Sequence, residues 1–277
     1  MKRWSLALLS LILVACGTPQ VALIPTPTVS LPQGTPELVH LVCPESVEPL
    51  ARGLISAYQR ANPAVQVMLV QRADLLAWGM LERVEVDAAI LTMPLPDARP
   101  DGTWHAVFAR DGLAVIVNPQ NGVPGLTLAQ LRELFMGRTE DWEPLGGFPG
   151  LPQLASREDA SGDHIFFQNV VMEDFPVTLT AFLMPNTTAV LDFVAQEPLG
   201  VGYLSSARVD DRVRALAIEE IPPADALLTP DLYPLTRDLL LVTMDVPEGA
   251  TRDFLQWVLS AQGQAVVSEL GWHPAAE

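Results

Sequence analysis

From residue 37 onward the apolar positions fall into short blocks of alternating character. Residues 38–42 and 65–70 are continuous or alternating apolar runs, as strands are, and residues 47–61 between them carry a helical pattern. Asn62-Pro63 closes that helix, because proline removes a backbone donor and restricts the residue before it. A further helix is predicted over about 75–83 and a strand over 86–91, followed by a loop rich in Pro and Asp through Gly102. Strands are predicted over 106–108 and 112–117. Such alternation predicts βαβ units around a mainly parallel sheet.

Around Asn118 a second set of blocks begins, with helices predicted over 128–134, 162–171 and 190–196. Residues 201–204 read as a strand leading back. A strand over 239–244 and a helix over 250–270 would complete the first set. The expected architecture is therefore an α/β protein of two lobes: residues 37–110 and 204–277 form lobe 1, and residues 111–203 form lobe 2. Two crossovers would act as a hinge beside a ligand cleft. No internal repeat is evident.

The first residues have a different texture. Lys2 and Arg3 precede an apolar run over 4–15, and Cys16 follows. The run falls short of the ~20 apolar residues that span a bilayer, so residues 1–15 read as a cleaved signal peptide. Leu13-Val14-Ala15-Cys16 resembles the bacterial lipobox, which implies cleavage before Cys16, acylation of its thiol and an extracytoplasmic domain anchored to the cell membrane by lipid. An ordinary secreted protein with a cysteine at the cleavage site is the alternative. Residues 16–36, rich in Pro and Thr, read as an extended spacer. Cys43 is the one cysteine after Cys16, so an internal disulfide is excluded and the core must hold the mature domain together.

Composition narrows the functional classes. A chain of 277 residues that is 49% hydrophobic and 6% aromatic fits a globular α/β protein. Its formal charge is −17, and Lys2 and Arg3 would leave with the signal, so the mature chain is more acidic still. That balance argues against nucleic acid or an anionic lipid surface as a partner, since phosphate contacts need basic side chains. It leaves room for one buried anion site. No P-loop, dinucleotide-binding fingerprint or zinc-protease motif occurs, and the histidines at 40, 105, 164 and 273 form no ligand spacing, so no cofactor or metal is expected. Ser161, Asp163 and His164 are triad residue types, but neighbours at a helix start point in different directions. No enzyme is expected. The tryptophans at 78, 104, 142, 257 and 272 have no spacing for stacking bases or sugars, so packing is their default role.

One ordered series of short motifs carries more. It runs from Asp111-Gly112 through Asn118-Pro119, Leu126-Thr127, Phe135-Met136-Gly137 and Trp142 to Ser156-Arg157-Glu158-Asp159-Ala160-Ser161-Gly162. Gly200-Val201-Gly202-Tyr203, Tyr233-Pro234-Leu235-Thr236-Arg237 and Ser260-Ala261-Gln262-Gly263-Gln264 follow in order. Each motif alone is weak. Together they resemble the phosphate-binding proteins of bacterial phosphate ABC importers. The resemblance implies a type II periplasmic-binding-protein fold that holds a small oxyanion, phosphate foremost, and passes it to a membrane permease as a monomer.

An oxyanion held away from water needs hydroxyls, backbone N–H groups and an arginine fork. The family uses three loops for this. In the first, Cys43-Pro44-Glu45-Ser46 stands where a hydroxyl-rich run is expected, so Ser46 survives and Glu45 replaces a hydroxyl. A plain helix N-cap is the alternative role for Ser46. In the second, Arg157, Ser161 and Gly162 match, but Asp163 stands where Thr is usual. A surface pair with Glu158 or Asp159 is the alternative for Arg157, and pairing with Arg157 is the alternative for Asp163. In the third, Thr92 follows the strand where an acceptor aspartate is expected, and Ala73-Asp74-Leu75 replaces a glycine-rich turn. A misplaced carboxylate matters: two unit charges ~4 Å apart interact by ~4 kcal/mol at an effective dielectric of ~20. Two further functions therefore stand beside oxyanion binding, namely a sensor or interaction module that keeps only the fold, or a site for a non-anionic ligand.

Overall fold

A computed structural model of the protein describes residues 36–223 and 232–275. The signal peptide, Cys16 and the spacer up to residue 35 lie outside the described residues.

The first half is built from β1 (Glu37–Cys43), α1 (Glu48–Ala61), β2 (Val65–Gln71), α2 (Asp74–Glu82) and β3 (Ala88–Leu91). Pro49 sits in the first turn of α1, where no intrahelical donor is needed. At its other end the Asn62 side chain and backbone both donate to the Tyr58 carbonyl before Pro63. β1 pairs in parallel with β2 and β3, as the βαβ reading predicts.

β4 (Trp104–Val117) is one strand of fourteen residues where two short strands are expected from the sequence. The polar positions Arg110 and Asp111 break the apolar pattern, yet the strand runs through them. The reason lies across the ladder: β11 (Thr236–Thr243) places Arg237 directly opposite Asp111. A buried charge is tolerated in a strand once it is paired.

Between these strands lie β5 (Gly125–Leu126), α3 (Leu128–Phe135), β6 (Gln153–Arg157), α4 (Gly162–Phe167), β7 (Phe182–Met184), α5 (Thr187–Gln196), β8 (Gly200–Ser205), β9 (Arg214–Ala215) and β10 (Ala217–Ile218). The helical turns after α4 widen to π geometry through Met172, so the single helix expected over 162–171 changes its winding midway. The Thr127 hydroxyl and the Gln130 side chain cap α3 reciprocally. The chain ends in α6 (Gly249–Leu259), α7 (Ala261–Glu269) and β12 (His273–Pro274). Two helices replace the single one expected over 250–270, because Ser260 is extended, donates its hydroxyl to the Trp257 carbonyl and caps α7.

The sheet order is β2-β1-β3-β11-β4-β8-β6-β7. The first part of β4 pairs with β11 and the last part with β8, so β4 passes from one half to the other. Each half keeps its own apolar cores. Val39, Leu41, Leu50, Phe108, Leu241 and Phe254 belong to one cluster, and Val115, Leu131, Phe135, Phe167 and Tyr203 to another. Leu216, Ile218, Tyr233 and Leu235 also pack in the second cluster. This puts the return crossover at Leu235 and Thr236, later than a boundary at 204, because β9 and β10 pair with β4 and β5 before the chain comes back.

Cys43 ends β1 fully buried. Burial pushes its thiol up to about 12, with the Glu48 and Asp74 charges adding to the shift. In the native protein at pH 8 it is expected to resist a soluble thiol reagent and to react once the chain is unfolded in denaturant. Rapid native labelling at Cys43, read by peptide mass, would contradict this burial.

Candidate functional site

Where the two halves meet, the ends of β1, β2 and β6 and the starts of α2, α4 and α5 converge. They surround a polar cavity of about 250 Å³ whose walls include Glu45, Ser46, Asp74, Arg157 and Ser161. Residues from all three loops expected from the sequence are thus brought to one place.

Arg157 is the last residue of β6 and 4% exposed. Its Nη1 donates to Asp163 Oδ2 at 3.1 Å and lies 3.9 Å from Glu45 Oε2, while its Nε is buried without a partner. A surface pair with Glu158 or Asp159 is therefore not how Arg157 is used. The Tyr203 hydroxyl, 2.9 Å from Ser156 Oγ, accepts from the Arg157 backbone N–H at 3.3 Å. The Tyr203 ring stacks on Phe167 at 4.1 Å between centroids. Burial pushes this phenol up to about 12, so it stays a neutral strut that fixes the base of Arg157.

Ser161 occupies the N-cap position of α4, but its side chain makes no cap bond. Ser46 lies in the 3₁₀ turn Glu45–Val47; Val47, not Ser46, is the N-cap of α1, and that turn has no side-chain cap bond either. Both hydroxyls are nearly buried and line the cavity. The plain N-cap role for Ser46 is thus not what this geometry uses.

The acids are placed differently from their neighbours. Asp163, fully buried, sits between two arginines: Arg157 on one oxygen and Arg237 Nη2 at 2.7 Å from the other. The second is a charge contact rather than an aligned hydrogen bond, since Oδ1 has no hydrogen-bond donor. Arg237 also donates to Asp111 Oδ2 through Nη2 at 2.9 Å and Nε at 3.3 Å. Asp111 in turn accepts from the Ser205 and Ser206 hydroxyls. Burial disfavours the Arg237 charge, but Asp163 and Asp111 outweigh it and hold the guanidinium protonated. Burial pushes Asp111 up against the pull of Arg237; with two guanidinium bonds and two hydroxyl bonds, the carboxylate form is the one this geometry supports. Asp111, Arg237, Asp163, Arg157 and Glu45 thus alternate in sign along one chain of contacts.

Asp74 stands apart from that chain. As the first residue of α2 it is 1% exposed, and its Oδ1 accepts from the Thr92 N–H at 2.6 Å and the Thr92 hydroxyl at 3.1 Å. Its Oδ2 accepts from the Gly162 N–H at 2.8 Å. Thr92, where an acceptor aspartate is expected, is therefore a donor, and the acceptor comes from the loop where glycine is expected. Burial pushes the Asp74 carboxyl upward; the Thr92 and Gly162 N–H bonds and the Arg237 charge offset part of this. Gly162 is required at this approach, because a Cβ there would overlap Thr92 Oγ1 and lie 2.5 Å from Asp74 Oδ2. Glu45, 23% exposed, accepts from the Thr187 N–H at 2.9 Å and the Thr187 hydroxyl at 2.8 Å.

Sequence reasoning missed Asp111, Arg237 and Thr187 as parts of this network. Asp111 carried a visible signal, a lone acid inside a long apolar strand. Thr187 carried none.

Two α/β halves joined by crossing strands around a polar, arginine-walled cleft are the architecture of periplasmic-type binding proteins. The chain belongs to the PBP superfamily, whose domain matches residues 30–262. Among curated relatives, the phosphate-binding protein PstS of Bacillus subtilis is 27% identical over 168 residues, covering 60% of this chain and 56% of that protein. PstS of Borreliella burgdorferi is 19% identical over 253 residues, covering 87% and 91%. A Clostridium perfringens protein described as a phosphate ABC transporter substrate-binding protein, solved with bound phosphate, superposes with a TM-score of 0.81 at 23% identity, covering 87% of this chain and all of that one. An ABC-type phosphate transport receptor from Vibrio cholerae superposes at 0.73 with 24% identity, covering 84% and 98%. These superpositions establish the mixed α/β binding-protein fold.

Proposed function

We propose that this protein is the extracytoplasmic solute-binding component of an ABC importer, and that its cleft receives phosphate or a similar small oxyanion. The observation that carries the reading is Arg157: buried at the cavity wall, with an Nε that has no partner. An unsatisfied buried guanidinium N–H is costly, and an incoming oxyanion would satisfy it. The uncapped hydroxyls of Ser46 and Ser161 stand on the same cavity, and the phosphate-binding relatives support the choice of ligand. Capture and release require no covalent step. In this reading Cys16 anchors the mature chain to the cell membrane by lipid, residues 16–36 span the gap, and a monomer delivers the ligand to a membrane permease. Among the described residues no helix is long and apolar enough to cross a membrane.

Calorimetric titration of the mature protein with inorganic phosphate tests the reading, and absence of heat at millimolar phosphate would sink it. Asp163→Thr sharpens the test. Removing this acid frees Arg157 and lowers the negative charge of the site, so phosphate affinity is expected to rise by about tenfold or more. The same change leaves Arg157 and Arg237 short of a partner, so the variant should melt lower than the parent without phosphate and recover on adding it. An unchanged affinity would acquit Asp163.

A further inference from the structure

We propose that Asp74 and Glu45 are tethered anions, carboxylates of the first half that occupy donors of the second and compete with the external ligand for entry. The inference rests on the oxyanion reading above and deepens it.

Both contacts cross the cleft. Asp74 opens α2 in the first half and takes the Gly162 N–H of the second, while also holding Thr92 of its own half. Glu45 precedes α1 and takes the N–H and hydroxyl of Thr187, the first residue of α5. Asp74 thereby presents both oxygens to N–H and O–H donors. Glu45 presents Oε2 to both Thr187 donors, while its Oε1 lies 3.9 Å from Arg208 Nη2. N–H and O–H donors gathered on an anionic oxygen are the chemistry a bound oxyanion demands. Asp74 has no basic side chain within ion-pair distance among the described residues, so its direct contacts are these donors, with the Arg237 charge acting from farther away. Beside it, Arg157 lines the cavity, and its buried Nε is a donor that the internal acids leave without a partner.

The consequence is a pair of internal carboxylate contacts that bridge the two halves across the cleft. An external anion that is to reach the Gly162 N–H must displace Asp74, and it meets the Glu45 charge near Arg157. A binding-competent state present in one molecule of a hundred lowers apparent affinity about 100-fold. Asp74 and Glu45 therefore set the concentration at which the protein loads, and select a ligand abundant enough to win the exchange. Gly162 and Thr92 are fixed by the same contacts, which accounts for a Gly with no room for a side chain and for a Thr in the third loop.

The test compares the mature protein with Asp74→Asn, Glu45→Gln and the double variant. Each is titrated with inorganic phosphate by calorimetry, and amide hydrogen exchange is followed in the peptides holding Gly162 and Thr187. The expected result is phosphate binding about 10- to 100-fold tighter, with exchange at both peptides faster without phosphate and slowed again by it. If the parent binds phosphate and the variants bind it equally well, the competition is overturned and the oxyanion reading stands. If exchange quickens but neither parent nor variants bind phosphate, the oxyanion reading falls, and the competition with it. Should Asp74→Asn fail to fold, Asp74→Ser and the more exposed Glu45→Gln carry the comparison.

Discussion

Arg157→Ala is expected to abolish phosphate binding in the mature protein, with a loss of at least two to three decades in affinity. The guanidinium is nearly buried, Arg157 lines the cavity, and its Nε has no hydrogen-bond partner. Truncating one member of a buried charged contact costs about 3–5 kcal/mol, and each 1.4 kcal/mol is tenfold. Arg157→Lys should recover only part of the affinity, since an ammonium keeps the charge but not the planar fork. Titration of the three proteins checks the order. Equal affinity in Arg157→Ala and the parent would remove Arg157 from the site. A stability change accompanies the loss, because Asp163 keeps only its contact with Arg237. Chemical denaturation without ligand separates that effect from binding.

Arg237→Met is expected to damage the fold more than any single change at the cavity wall. The guanidinium and both carboxylates beside it are almost wholly buried, and its loss leaves Asp111 with hydroxyl donors alone. An uncompensated buried charge costs about 3–5 kcal/mol, which for a domain of this size corresponds to a fall in Tm of about 10 °C. The pH dependence gives the sign. Burial already pushes the Asp111 carboxyl up, and without Arg237 it rises further above its unfolded value. The native variant then binds more protons than the unfolded chain, so its stability should increase as pH falls from neutral toward the ordinary carboxylate range. Thermal melts between pH 7 and pH 5 check this: the deficit relative to the parent should shrink. A deficit independent of pH would point to lost packing against Phe166, whose ring lies 5.9 Å from the Arg237 guanidinium carbon.

The sites were legible to different depths. Arg157, Ser161 and Gly162 could be read because they lie within one short motif at the end of a strand and the start of a helix. Glu45 and Asp163 could be recognised as departures, but not their partners. Asp74 was visible only as a substituted turn. Its partner Gly162 is 88 residues away, the partner of Asp111 is 126 away, and Thr187 is 142 residues from Glu45. No local period or spacing encodes which acid meets which donor across such distances.

The fold divides in the same way. Helices and parallel strands of the first half follow the apolar period closely, because local propensity and one buried face decide them. A charge inside a strand breaks that period, so the pattern predicts two strands where β4 is one, and only the strand opposite neutralises the charge. By itself the sequence determined an acidic α/β protein with an arginine-bearing motif, one cysteine after Cys16 and a signal-like start. Tertiary structure decided that the acids are structural partners rather than loose surface charges. Pairing of buried groups depends on which chain segments meet, and that is set by the sheet order and the two crossings, not by neighbours in sequence.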